Sequence, residues 1–293
     1  MGVLNVTPDS FAETTHVVSR DTGLDVPAAV ARAQAMAAAG ADILDIGGES
    51  TRPGAPAVAA DEELARVLPV IEAVSRQVAI PISVDTYKPE VATRAIAAGA
   101  AIVNDISGLL YEPALASVVA DTGAALVLMH TRGRSASMYA EAHYDNLLAE
   151  VGDELAASVM RAEAAGVSRD RIIIDPGIGF AKRAEHSYGV LARFPELVAR
   201  LDRPVLIGPS RKSFLQIAAG ERPATERDWA TAAAVTAAVL AGAHIVRVHA
   251  VAELVQVVRV AEVIRQATAR ETSTTISTDA STDASTNTST LIR

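Results

Sequence analysis

Five times along this 293-residue chain a helix-like stretch, in most cases rich in alanine, runs into a glycine: Ala39-Gly40-Ala41, Ala98-Gly99-Ala100, Thr122-Gly123-Ala124, Ala165-Gly166-Val167 and Ala241-Gly242-Ala243. Glycine at such a place can take the left-handed conformation that stops a helix. At each mark, or a few residues later, comes a short β-branched apolar run that ends in a polar group, which is the pattern of a strand. The strands expected on this reading are Gly2 to Val6, Asp42 to Gly47, Pro81 to Asp85, Ala101 to Ile106, Ala125 to His130, Arg171 to Asp175, Pro204 to Gly208 and His244 to His249. Helical patterns lie between them, among them Val26 to Ala39, Asp61 to Arg76, Pro89 to Ala98, Pro113 to Asp121, Tyr144 to Ala165 and Ala230 to Ala241.

Apolar strands in strict alternation with helices imply an α/β protein with a parallel sheet buried on both faces. A count of eight favours a closed (β/α)8 TIM barrel over a doubly wound open sheet. Aromatic residues make up only 3% of the chain, so Val, Ile, Leu and Ala must fill the interior. From Thr272 onward the composition turns to Ser, Thr, Asp, Asn and Ala, with the near-repeats Ser277-Thr278-Asp279-Ala280 and Ser281-Thr282-Asp283-Ala284. Such a segment has too little apolar area to offset its ordering entropy. The expected organisation is therefore a barrel over residues 1–270 and a disordered Ser/Thr-rich tail over 271–293.

Composition removes several chemistries. Without a single cysteine, disulfide frameworks, zinc-thiolate sites, iron-sulfur clusters and cysteine nucleophiles are excluded. A formal charge of −9 and a pI near 5.2 argue against nucleic acid as a main partner. Apolar runs such as Ala124 to Met129 fall far short of the ~20 residues that cross a bilayer. Met1-Gly2-Val3-Leu4-Asn5 has no basic region before it and reads as a strand, so no leader is expected and a cytoplasmic setting is favoured.

In a parallel barrel the catalytic groups stand at the C-terminal strand ends. Here those ends carry Asn5, the run Gly48-Glu49-Ser50-Thr51-Arg52-Pro53, Asp85, Asn104-Asp105, His130, Asp175, Ser210-Arg211-Lys212-Ser213, and Arg247 with His249. One such Asp is often a helix cap, and one such His often satisfies a backbone group. Polar groups at every end of one rim imply a polar ligand among them. Arg247 and His249 share parity on one strand, and with Thr51 and Arg52 they offer donors to a multi-oxygen anion such as pyrophosphate. Asp85, Asn104 and Asp175 offer edges that can pair with an amino-bearing heterocycle, a pterin or a purine. Ser210 to Ser213 opens a helix whose first N–H groups could take a second anion such as a carboxylate. The chain has only three lysines, Lys88, Lys182 and Lys212, against 23 arginines. Where arginine is the default base, a lysine beside a strand end suggests a compact point donor.

Asn5-Val6-Thr7-Pro8-Asp9-Ser10-Phe11 and Gly47-Gly48-Glu49-Ser50-Thr51-Arg52-Pro53-Gly54 together resemble the dihydropteroate synthase family. Ser83-Val84-Asp85-Thr86, Asn104-Asp105-Ile106, Leu128-Met129-His130, Asp175-Pro176-Gly177-Ile178-Gly179-Phe180, Ser210-Arg211-Lys212-Ser213 and Arg247-Val248-His249 look like its remaining blocks, in order. The resemblance spans residues 1 to about 268. It implies a transferase on a (β/α)8 barrel that usually dimerises, joining 6-hydroxymethyl-7,8-dihydropterin pyrophosphate to 4-aminobenzoate to give 7,8-dihydropteroate and pyrophosphate. By the same resemblance Asp85, Asn104, Asp175 and Lys212 hold the pterin, and Asn5 helps bind Mg²⁺. Thr51, Arg52, Arg247 and His249 take the phosphate oxygens, while Phe11, Thr51, Pro53 and Ser213 wall the aminobenzoate pocket. Asn5, Asp85, Lys212, Arg247 and His249 are the expected catalytic group.

Several positions depart from the family pattern. Ala12-Glu13-Thr14-Thr15 and a lengthened stretch to Asp25 replace the usual Ser-Asp-Gly-Gly, and Ala250 stands where an Asp is customary. The altered first loop carries an expectation of reduced sulfonamide sensitivity. The competing readings are a pterin-dependent methyltransferase, which has no need of the Ser210–Ser213 and Arg247/His249 anion sites, and a pterin-binding protein without catalysis.

Overall fold

The computed structural model describes residues 1–7, 18–19, 23–52, 54–135 and 137–283, the backbone alone for 18–19 and 269–283. Eight parallel strands alternate with helices: β1 (Gly2–Asn5), β2 (Leu44–Gly47), β3 (Ile82–Asp85), β4 (Ile102–Asp105), β5 (Ala125–Met129), β6 (Ile172–Asp175), β7 (Leu206–Ile207) and β8 (Ile245–Val246). The first six form one sheet in chain order, and β7 pairs with β8. Parallel bridges Ile174↔Val205 and Gly2↔Val248 join the two sets at both seams, so the sheet closes into a barrel. The open, doubly wound alternative is thereby replaced by the closed form. The strands are shorter than their apolar runs; β8 ends at Val246, which puts Arg247 and His249 just beyond it.

The helices are α1 (Val26–Ala38), α2 (Ala60–Ser75), α3 (Pro89–Ala97), α4 (Leu115–Thr122), α5 (Leu147–Ala164), α6 (Ala184–Ala192), α7 (Phe194–Leu201), α8 (Gln216–Ala219), α9 (Asp228–Leu240) and α10 (Val251–Asp283). Helix α1 starts where the Asp25 side chain accepts from the Ala28 N–H at 2.9 Å, with proline in its first turn. The five punctuating glycines all have positive φ, from +69° at Gly123 to +117° at Gly99. Helix α5 begins three residues later than its pattern, because Asn146 caps it through the Ala149 N–H. The expected boundary at residue 270 falls within the backbone of α10, and residues 284–293 lie outside the described residues.

Alternation along the strands sorts the core into two shells. Leu44 and Ile46 of β2 and Val84 of β3 point outward into the large cluster shared with the helices. Met1, Ile43, Ile102, Ala125, Val127, Ile173, Leu206 and Ile245 form a separate apolar plug inside the barrel. In register, Asn5 pairs with Gly47, Gly47 with Asp85 and Asp85 with Asn104, so the sequence-expected polar groups form one row. Gly47 has to be small, since a Cβ there would stand 3.2 Å from the Cβ of Asp85.

Candidate active site

The row of polar ends opens into a cavity of about 270 Å³ at the C-terminal rim. Of the residues expected from the sequence, Asn5, Thr51, Arg52, Asp85, Lys212, Ser213, Arg247 and His249 line it. Asn104 and Asp175 do not line this cavity. Both are buried at the ends of β4 and β6. There Asn104 Nδ2 donates to Asp45 Oδ2 at 3.0 Å, and Asp175 Oδ1 accepts from the Gly177 N–H at 2.7 Å. Phe11 and Pro53 fall outside the described residues.

Arg247 organises the floor. From beyond β8 its Nε donates to Asp45 Oδ2 at 2.5 Å and its Nη2 to Asp85 Oδ2 at 2.9 Å. The sequence reading gave Arg247 to phosphate alone; the structure commits two of its donors to carboxylates, so this one side chain links the expected anion end to the expected heterocycle end. Asp45 is the residue that sequence reasoning missed. It is completely buried, and its Oδ1 has no hydrogen-bond partner among the described residues. The signal was a single carboxylate inside the apolar run Ile43-Leu44-Asp45-Ile46, at inward parity with Gly47. Burial pushes the Asp85 carboxyl well up, to about 8; Arg247 opposes the shift and the neighbouring Asp45 adds to it. Asp175 is also raised, by burial first, against the pull of Lys212.

On the opposite wall Lys212 reaches inward. Its Nζ donates to the Ile178 carbonyl and stands 4.4 Å from the centre of the Phe180 ring. Loss of water around Nζ lowers its pKa to about 8, with Asp175 opposing the shift. Arg211 next to it also borders the cavity, with its guanidinium tied down: at φ +59° it forms a two-armed pair with Asp228, both contacts 2.7 Å. Ser210 and Lys212 border the cavity on either side of it. Beyond Lys212 lie only a 3-10 turn, Ser213–Leu215, and the four-residue α8. The helix expected to open here is present as this short stretch, and its dipole is correspondingly slight.

His249 is neutral, driven well below the usual imidazole range by burial and then by Arg247. Ser210 Oγ accepts from the His249 N–H at 3.2 Å and lies 3.0 Å from Nδ1. With its hydroxyl proton directed to Nδ1, the imidazole carries its own proton on Nε2 as a donor.

Behind the floor, Lys182 is 1% exposed, with Nζ 2.7 Å from His130 Nδ1 and 3.2 Å from the Phe180 carbonyl. An amine so placed donates to Nδ1, so His130 presents its Nε2 proton to Glu154 at 3.0 Å. Burial lowers Lys182 to about 7. The unfolded lysine holds its proton to about 10.5, so unfolding takes up a proton across that window and stability climbs with pH there. Lys182→Met should remove this part of the climb, seen by comparing urea unfolding of variant and wild type at about pH 7 and about pH 10. A stability difference that is the same at both would show that Lys182 stays charged when buried.

A closed parallel barrel whose C-terminal rim joins buried carboxylates to a cation-lined cavity defines a class of (β/α)8 enzymes that bind a polar heterocycle beside an anion. The family model described as pterin binding enzyme matches residues 1–249. The dihydropteroate synthase of Synechocystis is 45% identical over 262 residues, covering 89% of this chain and 88% of that protein. Among solved structures, the Yersinia pestis dihydropteroate synthase with a sulfonamide drug complex superposes with a TM-score of 0.84 at 39% identity, over 91% of this chain and 94% of that one. The Xanthomonas albilineans dihydropteroate synthase with 4-aminobenzoic acid gives 0.81 at 43% identity, over 90% and 92%. The chain belongs to the pterin-binding enzyme family, and within it to the dihydropteroate synthases.

Proposed function

We propose that this chain joins 6-hydroxymethyl-7,8-dihydropterin pyrophosphate to 4-aminobenzoate, with the pterin on the carboxylate floor and the pyrophosphate against the cationic wall. The observation that carries this orientation is Asp85, a buried carboxyl on the cavity wall tied through Arg247 to Asp45, in one cavity with the donors of Arg52, Lys212 and His249. A buried carboxyl beside a polar cavity is best matched by a ligand that supplies a donor. Asp85, Asn104 and Asp175 would pair with the pterin's amino-pyrimidine edge, and Lys212 would donate to its ring. In the reaction the bond from the pterin methylene carbon to oxygen breaks, and its electron pair leaves with pyrophosphate. The arylamine lone pair closes the new C–N bond and the nitrogen sheds one proton. An arylamine is already unprotonated at neutral pH, so the main demands are positioning and stabilisation of the leaving charge by Arg52, Arg247, Thr51 and the neutral His249 donor.

A divalent ion fits this site as a companion of the substrate. Magnesium takes few protein oxygens and completes its shell with phosphate oxygens and water. Asn5 offers one amide oxygen on the cavity wall, and among the described residues no group of three or more His, Asp or Glu stands together. Bound there, Mg²⁺ would neutralise charge growing on the pyrophosphate. Pyrophosphate release should require both organic substrates; release without 4-aminobenzoate at the same rate would point to hydrolysis instead.

The homodimer is proposed on the helices α9 and α10, where Trp229 of α9 is 88% exposed and Val260, Val263 and Ile264 are exposed in helical spacing along α10. Trp229→Glu should shift the sedimentation of the chain to that of a monomer; no shift would place the interface elsewhere. No helix among the described residues is long and apolar enough to cross a membrane, and a cytoplasmic setting accords with this. Reduced sulfonamide sensitivity is proposed from the stretch after Phe11. Inhibition by sulfamethoxazole near the KM for 4-aminobenzoate would count against it.

A further inference from the structure

The segment 48–59 brings Thr51 and Arg52 to the cavity wall, yet its described residues contain neither helix nor strand. Inside it the Ala55 N–H donates to the Arg52 carbonyl at 3.0 Å, and a stretch of this length with so little backbone pairing needs other ties to hold one shape. At its base Arg66 Nη1 donates to the Gly48 carbonyl at 2.7 Å, and at its tip the Gly54 N–H donates to the Ser135 carbonyl at 2.9 Å. Between these, a single carboxylate gathers the loop. Glu49 Oε2 accepts from the Val58 N–H at 3.2 Å and from Lys88 Nζ at 2.5 Å, while Oε1 accepts from the Tyr87 hydroxyl at 3.1 Å. Lys88 also pairs with Glu63 of α2, whose side chain is completely buried. Burial alone would lower the Lys88 pKa, but Glu63 and Glu49 outweigh it and keep the ammonium charged. Neither Lys88 nor Glu63 lines the cavity.

We propose that Lys88 is a positioning residue for the phosphate and aminobenzoate end of the site: by holding Glu49 it keeps the 48–59 loop clipped shut, so that Thr51 and Arg52 face the cavity. Removing Lys88 leaves Glu49 to a neutral hydroxyl and one N–H, and the clip weakens where its charged partner stood. The inference rests on the proposed roles of Thr51 and Arg52 toward substrate. A competing role for Lys88 is that of plain counter-ion to Glu63, and this has a different signature.

Lys88→Met tests the clip, and Lys88→Met combined with Glu63→Gln tests the counter-ion, because the double variant removes the buried carboxylate together with its cation. The expected result is that both variants raise the KM for 4-aminobenzoate about tenfold and also lower kcat several-fold, since Thr51 and Arg52 are the groups placed against the leaving charge. Both should also exchange amide hydrogens faster at residues 49–58, while only the double variant regains the wild-type Tm. Recovery of KM and exchange in the double variant would overturn the proposal and leave Lys88 as a counter-ion. Wild-type exchange in Lys88→Met, or faster exchange with an unchanged KM, would overturn it as well. Should Lys88→Met fail to fold, the double variant still carries the comparison. Exchange needs no turnover, so a failure of the clip is told apart from a failure of the proposed reaction.

Discussion

Asp175→Asn should weaken pterin binding by about 30-fold to 1000-fold, the equivalent of roughly 2 to 4 kcal/mol. Asp175 ends β6 with 6% of its surface exposed, and Oδ1 is already committed to the Gly177 N–H. That bond fixes the carboxyl plane, so Oδ2 is the acceptor left for a donor on the heterocycle. The amide keeps the shape but replaces one acceptor by a donor and discards the charge that Lys212 and Arg247 feel. A pterin amino group would then meet an N–H, and two donors face each other. Titration calorimetry with a pterin ligand measures the loss directly, and an affinity equal to wild type would remove Asp175 from the site. Because the carboxyl is buried, Asp175→Asn is expected to leave the fold intact, and the melting curve of the variant serves as the control.

Removing Arg247 should cost the fold as well as the reaction. Arg247→Met leaves Asp45, fully buried, and Asp85, 8% exposed, as neighbouring carboxylates with no cation between them. Breaking a buried pair by deleting one partner typically costs about 3 to 5 kcal/mol, because the surviving charge stays buried. Asp85 is raised to about 8 even with Arg247 present, and without it the pair can adapt only by binding more protons. Asp85 of the folded variant then holds its proton to a higher pH than in the unfolded chain, so the folded state binds the excess proton. The sign follows: the variant loses stability as pH rises and recovers part of it in acid. Urea unfolding at about pH 8 should show the larger difference from wild type, and at about pH 5 the smaller. A difference that grew in acid would mean that the floor is held by something other than this arginine. Arg247→Lys keeps the charge but not the two-armed reach, and should recover stability more than turnover.

All three lysines prove to be placed at the rim or just behind it. Lys212 stands on the cavity wall, Lys182 is buried against His130, and Lys88 joins Glu49 to Glu63. The scarcity of lysine in an arginine-rich chain was therefore a usable signal, although it named no partner. The same holds for Glu49, which sat in plain view within Gly48-Glu49-Ser50-Thr51. Its side chain serves the loop's shape, and only the contacts of Val58, Tyr87 and Lys88 reveal this.

The order of strands and helices, their glycine stops and the polar residue closing each strand were legible because they are local. Glycine conformation and the period of apolar residues act over a few neighbours, and a barrel's rule about strand ends turns them into a list of site residues. Eight of the residues that border the cavity stand at or just beyond those strand ends. What tertiary structure decided are the contacts across the ring. Arg247 and Asp45 lie 202 positions apart, and no spacing in the sequence links them. Closure of the barrel brings β8 beside β1 and within an arginine's reach of β2 and β3. That converted an expected phosphate donor into the tie between two buried carboxylates and placed Asp45 behind the cavity, in contact with Asn104 and Arg247. It set the direction of Arg211 too, since a left-handed backbone on a non-glycine residue is stabilised by the surroundings, here Asp228 and Thr231, more than by the residue itself.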